Sequence, residues 1–391
     1  MITTAKRLNG IGEYYFSQKL REIATLNSEG KQVINLGIGS PDQPPHPEVI
    51  KALSEEAAKS DTHAYQGYKG SPILRNAFAD WYKKWYSVTL DPETEILPLI
   101  GSKEGIMHIC MTYLDEDDKV LVPDPGYPTY TSAVKLAGGD CISYSLTEEH
   151  NWRPDFKKLQ ELVNAGSRIK MMFVNYPQMP TGQLPDSLLF EELISFGRKN
   201  NILIVHDNPY SFILNDTPMS ILSVAGARDV AIELNSLSKS HNMAGWRVGV
   251  LCASKQRVED VMRFKSNMDS GMFLPIQIAA SKALGLGQEW YEEVNRVYRE
   301  RRAYVFELLE ILNCTFSIRQ AGMFVWAAIP ANYKDGYELS DEILYESNVF
   351  ITPGGIFGAA GDKYIRVSLC SSFEKFREAI SRIKINKKDA K

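Results

Sequence analysis

Between about residues 70 and 250 the chain alternates short apolar runs with helix-like stretches, and that alternation leaves few folds open. The runs are Lys119-Val-Leu-Val-Pro123, Lys170-Met-Met-Phe-Val-Asn175, Ile202-Leu-Ile-Val-His206 and Val230-Ala-Ile-Glu-Leu234. Each ends on, or gives way to, Pro, Asn, Asp or Ser, residues that favour turns and helix starts. Strands buried on both faces read as unbroken apolar runs, and helices between them make βαβ units with a mostly parallel sheet. The expected class is therefore α/β, with helices flanking the sheet. Further on the pattern changes to a long amphipathic stretch, Gln288 to Leu312, and then to shorter strand-like runs, Met323-Phe-Val-Trp-Ala-Ala328 and Tyr364-Ile-Arg-Val-Ser368. This predicts a smaller α+β domain over residues 286–391, a large α/β domain over 46–285, and an N-terminal segment, 1–45, that joins the small domain.

With 391 residues, 44% apolar and 24% charged, the chain has the composition of a globular protein and the size of two domains, or of one large α/β domain with an appendage. No stretch approaches the roughly 20 apolar residues of a membrane span. The N-terminus has no apolar run after its basic residues, so no secretory signal is expected. The five cysteines are scattered without zinc or redox spacing, which suits reduced thiols and a cytoplasmic location. A net charge of −4 with no basic stripe argues against nucleic acid, and the tail from Lys384 to Lys391 reads as a solvated end. None of the six histidines has metal-site spacing. His206 is expected to face away from its neighbour Asp207, since successive strand residues alternate, and His46 and His63 sit in loop-like segments. No metal, membrane or nucleic-acid partner is expected.

In an open parallel sheet, ligands lie beyond the carboxyl ends of the strands. Asn175, Asp207 and Ser236 to Lys239 fall at or just past those ends, so they can converge on one crevice. In Ser236-Leu-Ser-Lys-Ser-His-Asn-Met-Ala-Gly-Trp-Arg-Val-Gly249, Lys239 can form an imine with an aldehyde cofactor. The neighbouring hydroxyls and Arg247 can hold that cofactor's phosphate. A carboxylate at Asp207 can pair with a protonated ring nitrogen, and Tyr210 can reach a ring hydroxyl. Gly101-Ser-Lys-Glu-Gly105 precedes a helix-like run, and a helix start beside a hydroxyl is an anion site. Tyr127, in Pro125-Gly-Tyr-Pro128, can stack on a ring, and Arg366 can clamp a carboxylate in bidentate fashion. Taken singly, Asp207 also suits a turn cap, Tyr127 a core position, Arg366 a surface ion pair and Lys239 an exposed turn.

In this order and spacing the residues resemble the class I/II aminotransferases, the aspartate aminotransferase family of pyridoxal-phosphate enzymes with fold type I. The likeness runs from Leu36-Gly-Ile-Gly-Ser-Pro-Asp42 to Arg366 and includes Tyr65 five residues before Gly70, Asp207 three before Tyr210, and Arg247 eight beyond the lysine. It implies transamination between an L-amino acid and a 2-oxo acid, with ping-pong kinetics and pyridoxal 5'-phosphate as cofactor. By the same resemblance Lys239 is the Schiff-base lysine and proton shuttle, and Asp207 the pyridinium partner. Ser102, Lys103 (through its backbone), Ser236, Ser238 and Arg247 form the phosphate cup. Tyr127 is the stacking aromatic, and Gly39 and Arg366 contact the substrate carboxylate. Tyr65 resembles the tyrosine that crosses to a neighbouring subunit's phosphate, which implies a homodimer with shared active sites.

One departure stands out. Family members usually read Asn-Pro-Thr-Gly where this chain reads Asn175-Tyr-Pro-Gln-Met-Pro-Thr-Gly182, so Met179 replaces the asparagine that donates to the ring hydroxyl. Tyr210 then carries that role alone, or Gln178 or Asn175 reaches in, and the lost bond raises the imine pKa. Lys265-Ser-Asn-Met-Asp-Ser-Gly-Met-Phe273 is similar to a segment of aminotransferases acting on alanine or LL-diaminopimelate. Gly12-Glu-Tyr-Tyr-Phe16 is similar to their N-terminal segment that closes over the substrate, which puts Tyr15 among the substrate contacts. Two other readings share the fold: a carbon–sulfur β-lyase using the same carbanion, and an aminotransferase-like sensor domain of a transcription regulator. Regulators of that kind carry a DNA-binding domain ahead of the fold, and the first strand-like segment here, Val33 to Gly37, leaves no room for one.

Overall fold

A computed structural model describes residues 2–13 and 15–389, with the side chains of 388 and 389 left aside. The first strand, β1 (Ile34–Asn35), lies apart from the main sheet. That sheet has seven strands: β2 (Ile96–Leu99), β3 (Lys119–Asp124), β4 (Asp140–Ser145), β5 (Ile169–Asn175), β6 (Leu203–Asp207), β7 (Ala231–Ser236) and β8 (Gly249–Ala253). They lie in the order β2-β8-β7-β6-β5-β3-β4. The pairs from β4 through β7 are parallel, and β8 runs antiparallel to both its neighbours. The sheet is thus mixed and mostly parallel, as expected of an α/β chain.

Capping residues set the helix ends. Ser71 accepts the Leu74 N–H at 3.3 Å ahead of Pro72–Tyr86, and Asp186 accepts the Leu189 N–H at 2.9 Å ahead of Ser187–Asn200. Asn201 then closes the second of these helices in the left-handed region at φ 53°. Helices cover both faces of the sheet, and residues of β6 alternate between two apolar clusters. Leu203 and Val205 join one, while Ile204 joins the other.

His206 follows this alternation and lies opposite Asp207, as the sequence suggests. Its Nδ1 is 3.1 Å from Glu233 Oε2 and its Nε2 is 2.8 Å from the Tyr176 carbonyl. The fully buried Glu233 carboxylate also accepts from Tyr82 Oη at 2.7 Å, Ser220 Oγ at 2.8 Å and the Ile221 N–H at 3.0 Å. A buried charge is tolerable only with such a complement of donors. This knot pins β6 to β7 beneath the ends where the ligand crevice opens.

The second unit contains the helix Gln288–Ile311 and the strands β9 (Thr315–Phe316), β10 (Phe324–Ala328), β11 (Val349–Phe350), β12 (Thr352–Pro353) and β13 (Tyr364–Ser368). Four of these form an antiparallel sheet in the order β12-β13-β10-β9. β1 pairs in parallel with β11, and Ile34 and Leu36 are buried among Val349, Ile351 and Ile365. Through β1 the N-terminal segment is hydrogen-bonded to the C-terminal part of the chain. One polar tie runs from the helix Gln288–Ile311 to the large α/β part and another to the N-terminal segment. Asn295 accepts the Leu214 N–H at 2.7 Å and donates to the Phe212 carbonyl at 2.9 Å, while buried Arg301 grips Asp42 in bidentate fashion at 2.6 and 2.7 Å. Among the described residues no helix is long and apolar enough to cross a membrane.

Glu233→Ala strips the acceptor from three buried donors, Tyr82 Oη, Ser220 Oγ and the Ile221 N–H, and leaves His206 Nδ1 without its partner. We expect it to lower stability by about 3–5 kcal/mol, read as the midpoint of urea unfolding, whereas Glu233→Gln costs less. An unchanged midpoint in the alanine variant would show that the knot is dispensable.

Candidate active site

The carboxyl ends of β5, β6 and β7 deliver Asn175, Asp207 and Ser236 to one cavity of about 380 Å³. The short helix Leu237–Ser240 begins there, its first N–H groups capped by Ser236 Oγ accepting from the Ser238 N–H at 3.1 Å. Lys239 lies in this turn, and its Nζ donates to the Gly39 carbonyl at 2.7 Å. Burial pulls the lysine pKa below its ordinary value. Cys370 pulls the other way, less strongly than burial pushes, and the Arg366 and Arg247 charges add smaller pushes in the same direction as burial. A lysine so placed carries more of its nitrogen as free amine, the nucleophilic form.

Across the cavity Asp207 is buried. Tyr130 Oη donates to its Oδ2 at 2.9 Å, while Oδ1 has no hydrogen-bond partner. Desolvation raises its pKa to about 6, despite the Tyr130 hydrogen bond and the His206 charge, which both lower it. A bare, buried acceptor facing a cavity fits a protonated ring nitrogen. Tyr127 and Tyr210 also line the space, and burial raises both phenol pKa values. The Tyr127 ring stands edge-on to Tyr130 at 5.6 Å.

One end of the cavity is built on the helix Ser102–Tyr113, whose first residues Ser102 and Lys103 line it, and a helix N-terminus there suits an anion. Gly101 precedes it at φ 82°, in the left-handed region, and a side chain there would run into the Arg247 guanidinium, with Cζ only 2.8 Å from an added Cβ. Ser236 Oγ and Ser238 Oγ are 2.8 Å apart on the same wall. Arg247 is exposed, with Nη1 donating to the Ala244 carbonyl at 2.9 Å.

Opposite lies Arg366 on β13, buried, with Nη2 donating to the Gly37 carbonyl at 2.8 Å. Its guanidinium stands 3.8 Å over the Phe324 ring, 4.6 Å from Phe357 and 5.7 Å from Phe16. Met179 Sδ lies 3.4 Å from Arg366 Nη1. Gly39 packs against the Phe324 ring so closely that no side chain fits there. A guanidinium stacked on aromatic faces beside a glycine backbone suits a carboxylate.

Of the residues singled out from sequence, Ser102, Lys103, Tyr127, Asn175, Asp207, Tyr210, Ser236, Ser238, Lys239, Arg247, Gly39 and Arg366 line the cavity. Asn175 does so with its amide engaged: Nδ2 donates to the Asp207 carbonyl at 2.6 Å and Oδ1 accepts the Met179 N–H at 2.8 Å. It therefore fixes the β5 and β6 ends. Gln178 turns away, donating to the Pro125 carbonyl and accepting from Thr181. Tyr15 contacts the Phe16 and Tyr337 rings at 6.0 Å but does not line the cavity; Phe16 and Leu20 of its helix do. Tyr14, within the expected closing segment, lies outside the described residues. Tyr65 is 93% exposed and away from this chain's cavity. Tyr130, Phe324 and Phe357 were missed. Only the one-turn spacing of Tyr130 from Tyr127 hinted at any of them. A larger cavity of about 720 Å³, beside Glu191 and Arg198, gathers no comparable set of buried polar groups.

Taken together, an amine, a bare buried carboxylate, an anion cup and a carboxylate clamp fit pyridoxal phosphate and an amino acid. A family profile described as aminotransferase class I and II matches residues 31–383. The chain is 39% identical to an LL-diaminopimelate aminotransferase of Halothermothrix orenii, over 97% of both chains. It is 41% identical to another from Oleidesulfovibrio alaskensis, over 97% of this chain and 98% of the other. Among solved structures, substrate-bound BacF from Bacillus subtilis superposes with a TM-score of 0.93 at 34% identity, covering 99% of this chain and 98% of that one. An aromatic aminotransferase from Pyrococcus horikoshii does so with a TM-score of 0.86 at 29% identity, covering 95% and 99%.

Because Asp207 titrates higher in the folded chain than in the unfolded one, the native state holds the proton more tightly. The cofactor-free protein should therefore lose about 3 kcal/mol of stability as pH rises from about 4 to above 6. Urea unfolding of the cofactor-free form across that window should show this loss, and Asp207→Asn should remove it. Tyr130→Phe deletes a donor to the carboxylate and should steepen the loss by about 1 kcal/mol. A wild-type slope that survives in Asp207→Asn would assign it to another group.

Proposed function

The chain belongs to the class I and II aminotransferases, and on that premise we propose that Lys239, Asp207, Arg247 and Arg366 carry its reaction in the roles their positions suggest. The reaction is transamination between an amino acid and a 2-oxo acid, with pyridoxal phosphate as cofactor. Bound here, pyridoxal phosphate supplies an aldehyde for the lysine and a ring that draws electrons from the substrate's α-carbon. The observation that carries the assignment is the meeting of Lys239 Nζ and the bare Asp207 Oδ1 in one cavity.

In this reading Lys239 Nζ is the amine for the aldehyde. Once an amino acid takes its place, the same nitrogen removes the α-proton as general base. Asp207 Oδ1 accepts the ring N–H. Ser102, the backbone of Lys103, Ser236, Ser238 and Arg247 hold the phosphate, and Tyr127 covers the ring. Tyr210 donates to the ring hydroxyl alone, because Met179 cannot donate and the amides of Asn175 and Gln178 are engaged elsewhere. Arg366 and Gly39 receive the substrate carboxylate under Phe16, which closes the site against water.

A second copy of the chain completes this assignment. Tyr65 is 93% exposed, Ile73 53%, Met268 52%, Tyr68 46% and Phe273 39%, an array of large apolar side chains that a homodimer would cover. In it Tyr65 would reach the partner's phosphate. For the amino donor we infer LL-diaminopimelate, the compound in the names of relatives 37–41% identical over 97–99% of this chain. The apolar wall of Phe16, Leu20, Ile38 and Met179 beside Arg366 suits the aliphatic stem of such a substrate.

Lys239→Ala should abolish both turnover and the visible absorbance of the bound cofactor; an unaltered spectrum would sink the assignment. Met179→Asn adds a donor and should lower the pH midpoint of that absorbance band by about one unit. LL-diaminopimelate, alanine, phenylalanine and glutamate assayed against 2-oxoglutarate and pyruvate decide the donor. A tenfold or greater preference in kcat/KM for one of the other three would replace our inference.

A further inference from the structure

One turn into the helix that forms the phosphate cup lies a polar cluster with no part in the reaction described above. Glu104 Oε2 accepts the Ile100 N–H, and Glu104 Oε1 is 2.8 Å from His108 Nε2. The other nitrogen, Nδ1, has no partner, so the proton belongs on Nε2 and is donated to Glu104. Lys265, at the end of the neighbouring helix Lys255–Lys265, places Nζ 2.6 and 2.7 Å from the two oxygens of Asp269. Asp269 also accepts the Gly271 N–H at 3.3 Å. The nearest ligand atoms of Glu104, His108 and Asp269 all lie within 4.8 Å of one another, and the side chains of His108 and Lys265 are 1% exposed. Three such groups suggest a metal site, but the Lys265 ammonium already supplies the cation. The cluster is a closed charge network instead.

Its two ends reach different places. Ile100, held by Glu104, directly precedes Gly101-Ser102-Lys103, whose backbone forms the cup. Gly271, held by Asp269, stands at φ 83° so close to the chain at Gln66 and Gly67 that a Cβ would lie 2.8 Å from both carbonyl oxygens. The loop bearing Tyr65 thus rests on a turn that Asp269 fixes, and His63 of that loop contacts the Phe273 ring at 5.7 Å. We propose that Glu104 and Asp269 are positioning residues that lock the phosphate cup and the Tyr65 loop into one rigid piece. The proposal rests on the assignment of Ser102 and Lys103 to the phosphate.

The test compares pyridoxal phosphate with pyridoxal, which has the same aldehyde and ring but no phosphate. The cofactor-free wild type, Glu104→Gln and Asp269→Asn are each titrated with both compounds, followed by tryptophan fluorescence and the visible band. In Glu104→Gln one acceptor must serve two donors. We expect about a tenfold loss of affinity for pyridoxal phosphate with pyridoxal affinity unchanged. The double variant should lose little more than either single one, because the two residues act as a unit. Hydrogen exchange over residues 61–70 should quicken in Asp269→Asn and in Glu104→Gln. Unchanged affinity for pyridoxal phosphate in Glu104→Gln, or an equal loss for both compounds, would overturn the cup half of the proposal. Unchanged exchange would overturn the loop half. A wild type that binds pyridoxal as tightly as pyridoxal phosphate would instead refute the phosphate assignment itself. Should Asp269→Asn fail to fold, Glu104→Gln alone still decides.

Discussion

The Asp207 carboxylate has one oxygen held by Tyr130 and the other facing the cavity with no donor at all. Burial makes that position hostile to its charge, and much of the surrounding architecture serves to hold it there. Asn175 ties the Asp207 carbonyl to the Met179 backbone, so the ends of β5 and β6 cannot separate. On the reverse face the Glu233 knot fixes the preceding residue, His206. A fold that keeps a buried acceptor unsatisfied loses stability by doing so. In the proposed role a cationic ring nitrogen would offset that loss, which would link cofactor binding and folding at a single atom.

Much of this frame was legible in the sequence, for reasons that differ by element. β3, β5, β6 and β7 stood out because strands covered on both faces must be apolar throughout, and turn-forming residues bound each run. β4 did not, because it lies at the sheet edge and its residues Asp140, Ser143 and Ser145 are polar and largely exposed. β2 carries a proline, Pro98, within an otherwise apolar run, which obscures a strand. β8 follows the lysine segment closely and gives no helical interval to separate it.

The site shows the same division. Lys239, Asp207 and Arg366 were visible through their joint order and spacing, since each taken singly also suits an ordinary turn or surface position. Tyr130 was invisible: its hydroxyl matters only through contact with a residue 77 positions away. Asn175 and Gln178 show what sequence leaves open. Their amides offered themselves as cofactor contacts, but in the fold each is absorbed by backbone groups or a neighbouring hydroxyl that would otherwise be left unsatisfied. Side-chain chemistry can be read from sequence; which partner takes it first depends on the backbone nearby.

The pairing of β1 with β11 has a mechanical consequence. Gly37 and Gly39 follow β1, Arg366 lies on β13, and Phe324 lies on β10, so the parts proposed to receive a substrate carboxylate are joined by the same strand pairings and contacts. Lys239 and Asp207 belong to the part built on the seven-stranded sheet. The Lys239–Gly39 hydrogen bond bridges the two. In the proposed roles, a group that takes up the Lys239 amine would break that bridge, so engaging the amine would also undo a link between these two parts of the molecule.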